Sequence, residues 1–252
     1  MTISKNTIKY LRSLRQKKFR QKYNNFVVEG DKMAKEILCY PETEVEGIYA
    51  LESWITTHKS ELLSFKDRVF NISVTELGQI SNLNTPNQVF IVLKQPSAVP
   101  NYKYLAQDLT LYLDDIQDPG NMGTILRIAD WFGIPHIFCS PNCVEIYNPK
   151  VIQATMGAFL RVRTSVITLA ALKQEMTSTF YGATMNGNNL FSTTLSKTAV
   201  IVIGNEGQGI DPENLALVDQ CISIPSARES GMESLNAGVA TGIICAAFRN
   251  KE

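Results

Sequence analysis

The chain has 252 residues, of which 44% are hydrophobic and 19% are charged, and its 24 basic residues balance its 24 acidic ones. This length allows either one large domain or two modest ones around a buried core. The first residues lack the apolar run of a signal peptide, and no stretch approaches the roughly 18 uninterrupted apolar residues of a membrane span, so we expect a cytoplasmic protein that does not bind membranes.

The beginning of the chain is strongly basic. No acidic residue precedes Glu29, whereas eight lysines and arginines lie between Lys5 and Lys22. Basic side chains gain affinity for phosphates by releasing counterions, so this arm favours a nucleic-acid partner, although a solvated helix without a partner fits the arm alone equally well. Ile8, Leu11 and Leu14 recur at helical spacing and predict an amphipathic helix with its apolar side on the protein.

The next part of the chain alternates between short predicted strands and helices, which indicates a small α/β layer. The predicted strands are Phe26–Glu29, Val45–Leu51, Arg68–Ile72 and Gln88–Leu93. The predicted helices are Lys32–Cys39, one near Glu61, and Thr75–Ser81. Pro96 and Pro100 then lie in a polar stretch without apolar periodicity, so we predict a first domain at 1–95, a linker at 96–104 and a second domain at 105–252.

The second domain repeats the alternation with more continuous hydrophobic strands, which predict a mostly parallel sheet covered on both faces. The predicted strands are Leu109–Leu113, His136–Cys139, Thr179–Thr184, Ala199–Ile203 and Cys221–Ile224. The predicted helices are Met122–Phe132, Lys150–Met156, Leu169–Met176, Pro212–Val218 and Leu235–Arg249.

Polar segments with small residues follow three of these strands, where α/β proteins bind ligands. After the first strand, Asn121 can cap a helix that carries Arg127; an arginine paired on the surface with Asp130 or Glu145 is an equal alternative. After another strand, Gly204, Gly207 and Gly209 allow a close backbone approach to a ligand.

Two further polar residues belong to these segments. Glu206 lies within the glycine segment, where it can accept a proton, bind a hydroxyl or cap the helix that begins at Asp211–Pro212. Ser234 follows the loop after Ile224–Pro225 and by itself reads as an ordinary helix cap. The small residues of the helix after it, from Ala237 to Gly242, permit close contact either within the chain or between subunits.

The five cysteines are odd in number, and the only histidines are His58 and His136. Cys139 and Cys143 form the only close pair, without the further ligands that a zinc site needs. We therefore expect free thiols and no metal.

Taken together, the segments resemble the three motifs of the SpoU (TrmH) family of RNA ribose 2'-O-methyltransferases. The matching residues run from Asn121 to Ala129, from Gly204 to Gly209, and from Ile224–Pro225 to Ser234–Asn236. A fourth stretch, Asn148–Val151 continuing to Thr155–Ala158, is also similar to the family. Phe26–Gly30 resembles the start of the ribosomal-protein-like substrate-binding domain of rRNA-directed members.

The resemblance implies an α/β protein of SPOUT type, with a small N-terminal RNA-binding domain and a C-terminal mostly parallel sheet that contains a deep trefoil knot. It also implies S-adenosylmethionine bound in the knot and a homodimer. Knots are so rare that composition and periodicity would never predict one.

The resemblance also implies the site residues by position. Gly204, Ile224 and Leu235 match the cofactor contacts, largely through backbone groups. Arg127 matches the catalytic arginine of the family. The polar residues that match the surroundings of the reacting centre are Asn121, Glu206, Ser234 and Asn236.

The implied reaction is methyl transfer to a ribose 2'-hydroxyl, which is a weak nucleophile until its proton is removed or its developing charge is stabilised. Arginine is a poor general base, because its guanidinium stays protonated. Our hypothesis is that Arg127 holds the adjacent phosphate and stabilises the developing alkoxide, and that Glu206 or the substrate phosphate accepts the proton.

Alternatives remain open at the sequence level. The additional N-terminal domain favours 23S rRNA as substrate over tRNA. A noncatalytic RNA-binding protein of the same fold would not need Arg127, Glu206 and Asn236, and a nucleotide-dependent enzyme would need a fingerprint loop near the first strand, which Asp118–Asn121 is not. The loop Ser226–Glu233 is longer than the family usually has, and we expect Gly231 to replace the family's glycine there.

Overall fold

The computed structural model describes residues 3–97, 99–226 and 234–250. The chain forms two compact units, one of residues 1–97 with 145–160 and the other of residues 98–144 with 161–252. The boundaries predicted at 95 and 105 did not anticipate that 145–160 belongs to the first unit. The reason is packing: Ile152, Phe159 and Leu160 are buried in the core that contains Phe26 and Val28.

The first unit is built around a mixed sheet. Its described elements are α1 (Lys5–Ser13), α2 (Lys17–Tyr23), β1 (Asn25–Glu29), α3 (Asp31–Leu38), β2 (Val45–Ala50), α4 (Glu52–Thr57), a 3₁₀ helix (Glu61–Arg68), β3 (Val69–Asn71), α5 (Val74–Ile80), β4 (Val89–Lys94), α8 (Pro149–Thr155) and a second 3₁₀ helix (Ala158–Leu160). The strand order is β1-β4-β2-β3, with β2 and β3 parallel and the other pairs antiparallel.

The predicted strands of this unit are present, but its helices differ in four places, one of which is the unpredicted 3₁₀ helix Ala158–Leu160. The basic arm forms two helices, α1 and α2; Leu11 in α1 and Leu14 directly after it are buried as predicted, whereas Ile8 is half-buried. The helix expected near Glu61 is a 3₁₀ helix that departs from helical geometry at Phe65. Helix α4 was not predicted, because Glu52–Thr57 is short and has little apolar periodicity.

The second unit contains a parallel sheet. Its described elements are α6 (Tyr102–Leu105), β5 (Leu109–Leu113), α7 (Pro119–Trp131), β6 (His136–Cys139), β7 (Arg163–Val166), α9 (Leu169–Glu175), β8 (Thr179–Asn189), β9 (Ala199–Ile203), α10 (Pro212–Leu215), β10 (Gln220–Ser223) and α11 (Ala237–Arg249). The strand order is β10-β8-β9-β5-β6-β7, and each neighbouring pair is parallel. The predicted α/β class and parallel sheet are confirmed.

One strand of this sheet was missed and another is longer than predicted. Sequence periodicity did not indicate β7, because three of its four residues are polar and none of the four is buried. Strand β8 extends to Asn189, and its register with β10 jumps where Cys221 pairs with Gly182 and Ile222 with Asn188. The path of the predicted knot includes residues 227–233, which lie outside the described residues, so the knot stays a prediction.

Helices α7 and α11 pack closely in the second unit. A Cβ at Gly238 would lie 2.8 Å from Thr124 Cγ2, and a Cβ at Gly242 would touch Ile128 at 3.6 Å. The small residues of α11 therefore make an internal contact, which is one of the two readings that the sequence left open. Among the described residues, no helix is long and apolar enough to cross a membrane.

Candidate active site

The loop after β9 turns back on itself immediately. Asn205 and Gly209 exchange two backbone hydrogen bonds of 2.9 Å each, and Gly209 has a positive φ of 73°. A Cβ on Gly204 would overlap backbone atoms of Gly209 and Ile210. The turn therefore requires glycine at position 204, which brings backbone groups close to the carboxyl end of the sheet.

Asn205 holds this glycine loop against the neighbouring loop after β5. Its Oδ1 accepts hydrogen bonds from the backbone N–H groups of Gly207 at 2.9 Å and Gln208 at 3.2 Å. Its Nδ2 donates to the carbonyl of Asp115 at 2.9 Å. Sequence reasoning missed this role; the available signal was an asparagine directly after Gly204 at the end of a buried strand.

Asp114 is a second residue that sequence reasoning missed. Its side chain is buried, and its carboxylate accepts hydrogen bonds from the Asp211 N–H at 2.8 Å and from Asn214 Nδ2 at 2.9 Å. Asp211 itself caps α10, with its Oδ1 accepting from the Glu213 N–H. The alternative that Glu206 caps this helix is therefore wrong, and its carboxylate is available for other contacts.

Glu206 instead bonds to Asn121, which joins it to Asn236. The prediction that Asn121 caps its helix is wrong, because Asp118 caps α7 and accepts from the Asn121 N–H. Asn121 Nδ2 donates to Glu206 Oε1, and Asn121 Oδ1 accepts from Asn236 Nδ2 at 2.7 Å. Asn236, and not Ser234 as considered from the sequence, caps α11, because its Oδ1 accepts from the N–H groups of Gly238 and Val239. Three of the five polar residues implied by the resemblance thus form one hydrogen-bonded chain across three motifs.

Arg127 lies exposed on α7 and, among the described residues, has no hydrogen-bond or ion-pair partner. The surface pairing considered from the sequence does not form. Asp130 pairs with Arg161 at 2.8 Å, and Glu145 pairs with Arg20. The guanidinium of Arg127 is therefore available to bind an external anion.

A cavity of about 510 Å³ opens at the carboxyl edge of the parallel sheet. Predicted site residues that line it are Gly204, Glu206, Ile224, Ser234 and Leu235. The other lining residues are Ala183, Thr184, Met185, Ile203, Asn205, Gly207, Gln208, Gly209, Ile222, Pro225, Ser226, Ala237, Ala240 and Ile244. Arg127, Asn121 and Asn236 do not line it. The loop Ser226–Glu233, in which Gly231 is expected to replace the family's glycine, lies outside the described residues after Ser226.

Cys143 follows the end of β6. Its thiol donates to the carbonyl of Leu113 at 3.2 Å. A hydrogen bond with Cys139 lowers the pKa of the Cys143 thiol to about 7, whereas the pKa of Cys139 is raised. In the part of the chain that the structure describes, no three histidine, cysteine, aspartate or glutamate side chains are grouped to hold a metal ion.

Two family models match this chain. The model of the SpoU rRNA Methylase family matches residues 108–246, and the model of the MRM3-like substrate binding domain matches residues 5–90. The first match contains the cavity and the Asn121–Glu206–Asn236 chain.

Individual relatives agree with these matches. The 23S rRNA (guanosine(2553)-2'-O)-methyltransferase of Bacillus subtilis is 27% identical over 241 residues, which are 94% of this chain and 93% of that protein. A structure from Porphyromonas gingivalis that is assigned to the TrmH family of RNA methyltransferases is 34% identical, with a TM-score of 0.87 and full coverage of both chains. An AdoMet-bound rRNA methyltransferase from Sinorhizobium meliloti shares the fold, with a TM-score of 0.87, 23% identity, and coverage of 100% of this chain and 97% of that one.

Proposed function

The chain belongs to the SpoU rRNA Methylase family, and from that premise we propose that it transfers a methyl group from S-adenosylmethionine to a ribose 2'-hydroxyl of RNA. The observation that carries the proposal is the hydrogen-bonded chain of Asn121, Glu206 and Asn236 beside a cavity that is partly closed by glycine backbone. We favour 23S rRNA as substrate, since a relative of nearly the same length is named for that activity.

The cavity suits a ligand with apolar and polar parts. Its volume of about 510 Å³ lies within the usual range for small-molecule sites. Ile203, Ile222 and Ile244 supply apolar walls, and the glycine loop supplies backbone donors and acceptors. Gly204, Ile224 and Leu235 would hold the cofactor, and the absence of room for a Cβ at Gly204 supports this assignment. When bound, S-adenosylmethionine supplies an electrophilic methyl group on a positively charged sulfur.

The environments of the polar residues support the following roles. Arg127, which is exposed and without a partner in the described part of the chain, binds the phosphate next to the reacting ribose and stabilises charge that develops on the 2'-oxygen. Glu206 or the substrate phosphate takes the proton of the 2'-hydroxyl. Asn121 holds Glu206 in place and is itself held by Asn236, and Ser234 lies exposed at the cavity.

Further properties belong to the same proposal. Residues 1–95 contain the basic arm and the RNA substrate-binding domain, 96–104 are the linker, and 105–252 form the catalytic domain with its knot, except that 145–160 pack in the first unit. The enzyme acts as a homodimer; the exposure of Trp131 on α7 (85%) and Val239 on α11 (51%) supports an apolar contact between copies. A cytoplasmic location fits an rRNA substrate.

The proposal is tested by methyl transfer in vitro. The purified protein is incubated with methyl-labelled S-adenosylmethionine and, separately, with unmodified transcripts of 23S rRNA and with unmodified tRNA. We expect label on 23S rRNA at a ribose, which makes the adjacent linkage resistant to alkali. Glu206→Ala serves as the variant with an impaired site.

Each outcome decides one part of the proposal. Label on tRNA alone would assign the tRNA alternative. Binding of RNA with no label on either substrate would support a noncatalytic RNA-binding protein and contradict the enzymatic proposal.

A further inference from the structure

The outer surface of the basic arm carries cations that the fold does not use. In the described part of the chain none of them has an ion-pair partner, and all are exposed. These residues, called the α1–α2 surface below together with Phe19 and Tyr23, are Lys5, Lys9, Arg12, Lys17, Lys18 and Lys22. These six positive charges, which all precede the first acidic residue of the chain, form a strong electrostatic site for an anionic polymer.

The other two arginines of the arm hold this surface in place. Arg20 is 2% exposed, pairs with Glu145, and donates to the carbonyls of Leu14 at 2.9 Å and Arg15 at 2.8 Å. Arg15 donates to the carbonyl of Ile80 at 3.2 Å. The turn between α1 and α2 is thus fixed to the first unit, so binding does not have to order it.

Aromatic rings lie among these cations. Phe19 and Tyr23 are stacked, with centroids 6.3 Å apart and planes at 14°, and Tyr10 packs edge-on against Tyr23 at 5.0 Å. Lys18 Nζ lies 4.8 Å from the Phe19 centroid and Lys22 Nζ lies 5.3 Å from that of Tyr23. Tyr23 is nevertheless 40% exposed, so an oriented ring is presented to solvent.

The composition of the α1–α2 surface favours a nucleic acid over an anionic membrane as its partner. A helix that inserts into a membrane surface needs an exposed apolar face. Here Leu11 and Leu14 are buried in the core of the first unit, so the arm has little apolar surface left for lipid. Cations that track a backbone, combined with an exposed aromatic ring, are instead the elements of a site for single-stranded nucleic acid.

We propose that the α1–α2 surface binds a single-stranded segment of the substrate RNA, with its lysines and Arg12 on phosphates and with Tyr23 stacked on an unpaired base. This inference rests on the proposed function and adds which surface holds the RNA and in which form. The segment is bound away from the reacting ribose, so the surface contributes to RNA affinity and not to the chemical step.

The phosphate contacts are tested by salt dependence. Binding of a fluorescein-labelled single-stranded RNA of mixed sequence is measured by anisotropy at several salt concentrations. Each lost phosphate contact reduces the slope of log K against log salt by about 0.7. We therefore expect Lys18→Gln with Lys22→Gln to reduce the slope by roughly 1.4, and the matched control Lys59→Gln with Lys66→Gln, at exposed positions of the same unit, to leave it unchanged.

The stacking contact is tested at Tyr23. Tyr23→Ala should weaken binding of the single strand about 5- to 150-fold, and Tyr23→Phe should retain it, because each base stacked on an aromatic ring contributes on that scale. The same RNA annealed into a duplex offers no unstacked base within it, so the difference between the two variants should disappear. Circular dichroism and S-adenosylmethionine binding identify any variant that fails to fold.

The outcomes separate this inference from the proposed function. If the wild type methylates RNA and the Lys18/Lys22 and Tyr23 variants raise the KM for RNA with kcat unchanged, both stand. If these variants methylate RNA with the KM of the wild type and bind RNA with the same salt dependence, the inference is wrong and the proposed function stands. Specific RNA binding without methylation overturns the proposed function alone, and stronger binding to vesicles of anionic lipid than to RNA assigns the surface to a membrane and overturns the inference.

Discussion

The polar residues of the site differ in how the protein holds them. Asn121, Glu206 and Asn236 are fixed by hydrogen bonds to one another, whereas Arg127 is exposed and has no partner in the described segments. Side chains that are fixed before the substrate binds are suited to orient the reacting groups. An unpaired guanidinium suits the binding of a phosphate from the substrate, because its fork of donors fits phosphate oxygens.

Arg127→Lys tests whether catalysis depends on the paired donors of the guanidinium or only on its positive charge. We expect kcat to fall about 100-fold, the scale for losing one donor to a developing oxyanion. Affinity for S-adenosylmethionine should stay unchanged, because Arg127 does not line the cavity. Steady-state kinetics and calorimetry measure the two quantities.

A second variant at this position completes the test. Arg127→Leu removes the charge as well and should also raise the KM for RNA. Near wild-type turnover of Arg127→Lys would exclude positioning by the guanidinium and leave a purely electrostatic role.

The sequence predicted individual site residues only at positions that match a family motif. The resemblance pointed to Asn121, Glu206 and Asn236, but the hydrogen bonds among them depend on three segments that meet only in the fold. Asp114 and Asn205 were missed for the same reason. Asp114 accepts from Asp211 and Asn214, almost a hundred positions away, so no local spacing reveals its partners.

At the level of elements, the glycine loop after β9 shows how a turn shapes the site. Asn205 and Gly209 pair across the loop, and the backbone of the returning segment occupies the space beside Gly204. Side chains there are excluded by atoms of the main chain, which cannot move without opening the loop.

Gly204→Ala should therefore displace the loop. A Cβ that overlaps main-chain atoms costs about 1–3 kcal/mol of stability when the structure must shift to admit it. We expect weaker binding of S-adenosylmethionine, measured by calorimetry, and a lower melting temperature. The matched control is Gly207→Ala, whose Cβ would meet only Asn205 Oδ1 at 3.6 Å and should bind as the wild type does. Equal affinity of both variants would show that the loop does not form the cofactor site.

Elements could be predicted where hydrophobicity was continuous. The limits of β5, β6 and β9 agree with the prediction because each is a run of fully buried residues. Strand β7 has no such run, since it lies at the edge of the sheet and its residues are only half-buried or exposed. Helix α8 was predicted, but only tertiary packing decides that it belongs to the first unit.

For the whole molecule, the buried His136 couples stability to pH. Burial, with a smaller contribution from the charge of Arg163, lowers the pKa of His136 from 6.5 to about 4. Below pH 6.5 the unfolded chain binds a proton that the folded protein does not bind until pH about 4. The free energy of unfolding is therefore highest above pH 6.5 and decreases as the pH falls towards 4.

The free energy of unfolding should decrease by about 3 kcal/mol over this range, since one pKa unit corresponds to about 1.4 kcal/mol. It is measured as the free energy of unfolding in urea across this pH range. His136→Gln should remove this part of the acid sensitivity while retaining a polar group near Ser165, to which His136 hydrogen-bonds at 3.0 Å. An unchanged pH dependence in that variant would assign the acid sensitivity to other groups.

The chain of Asn121, Glu206 and Asn236 has a direction. It begins at a carboxylate, which only accepts, so Asn121 must turn its nitrogen to Glu206 and its oxygen to Asn236. Asn236 must then turn its own oxygen to the first N–H groups of α11. The negative charge on one side chain thereby sets the orientation of two amides and the start of a helix, so an aspartate at either asparagine would place two acceptors face to face although it has the same shape.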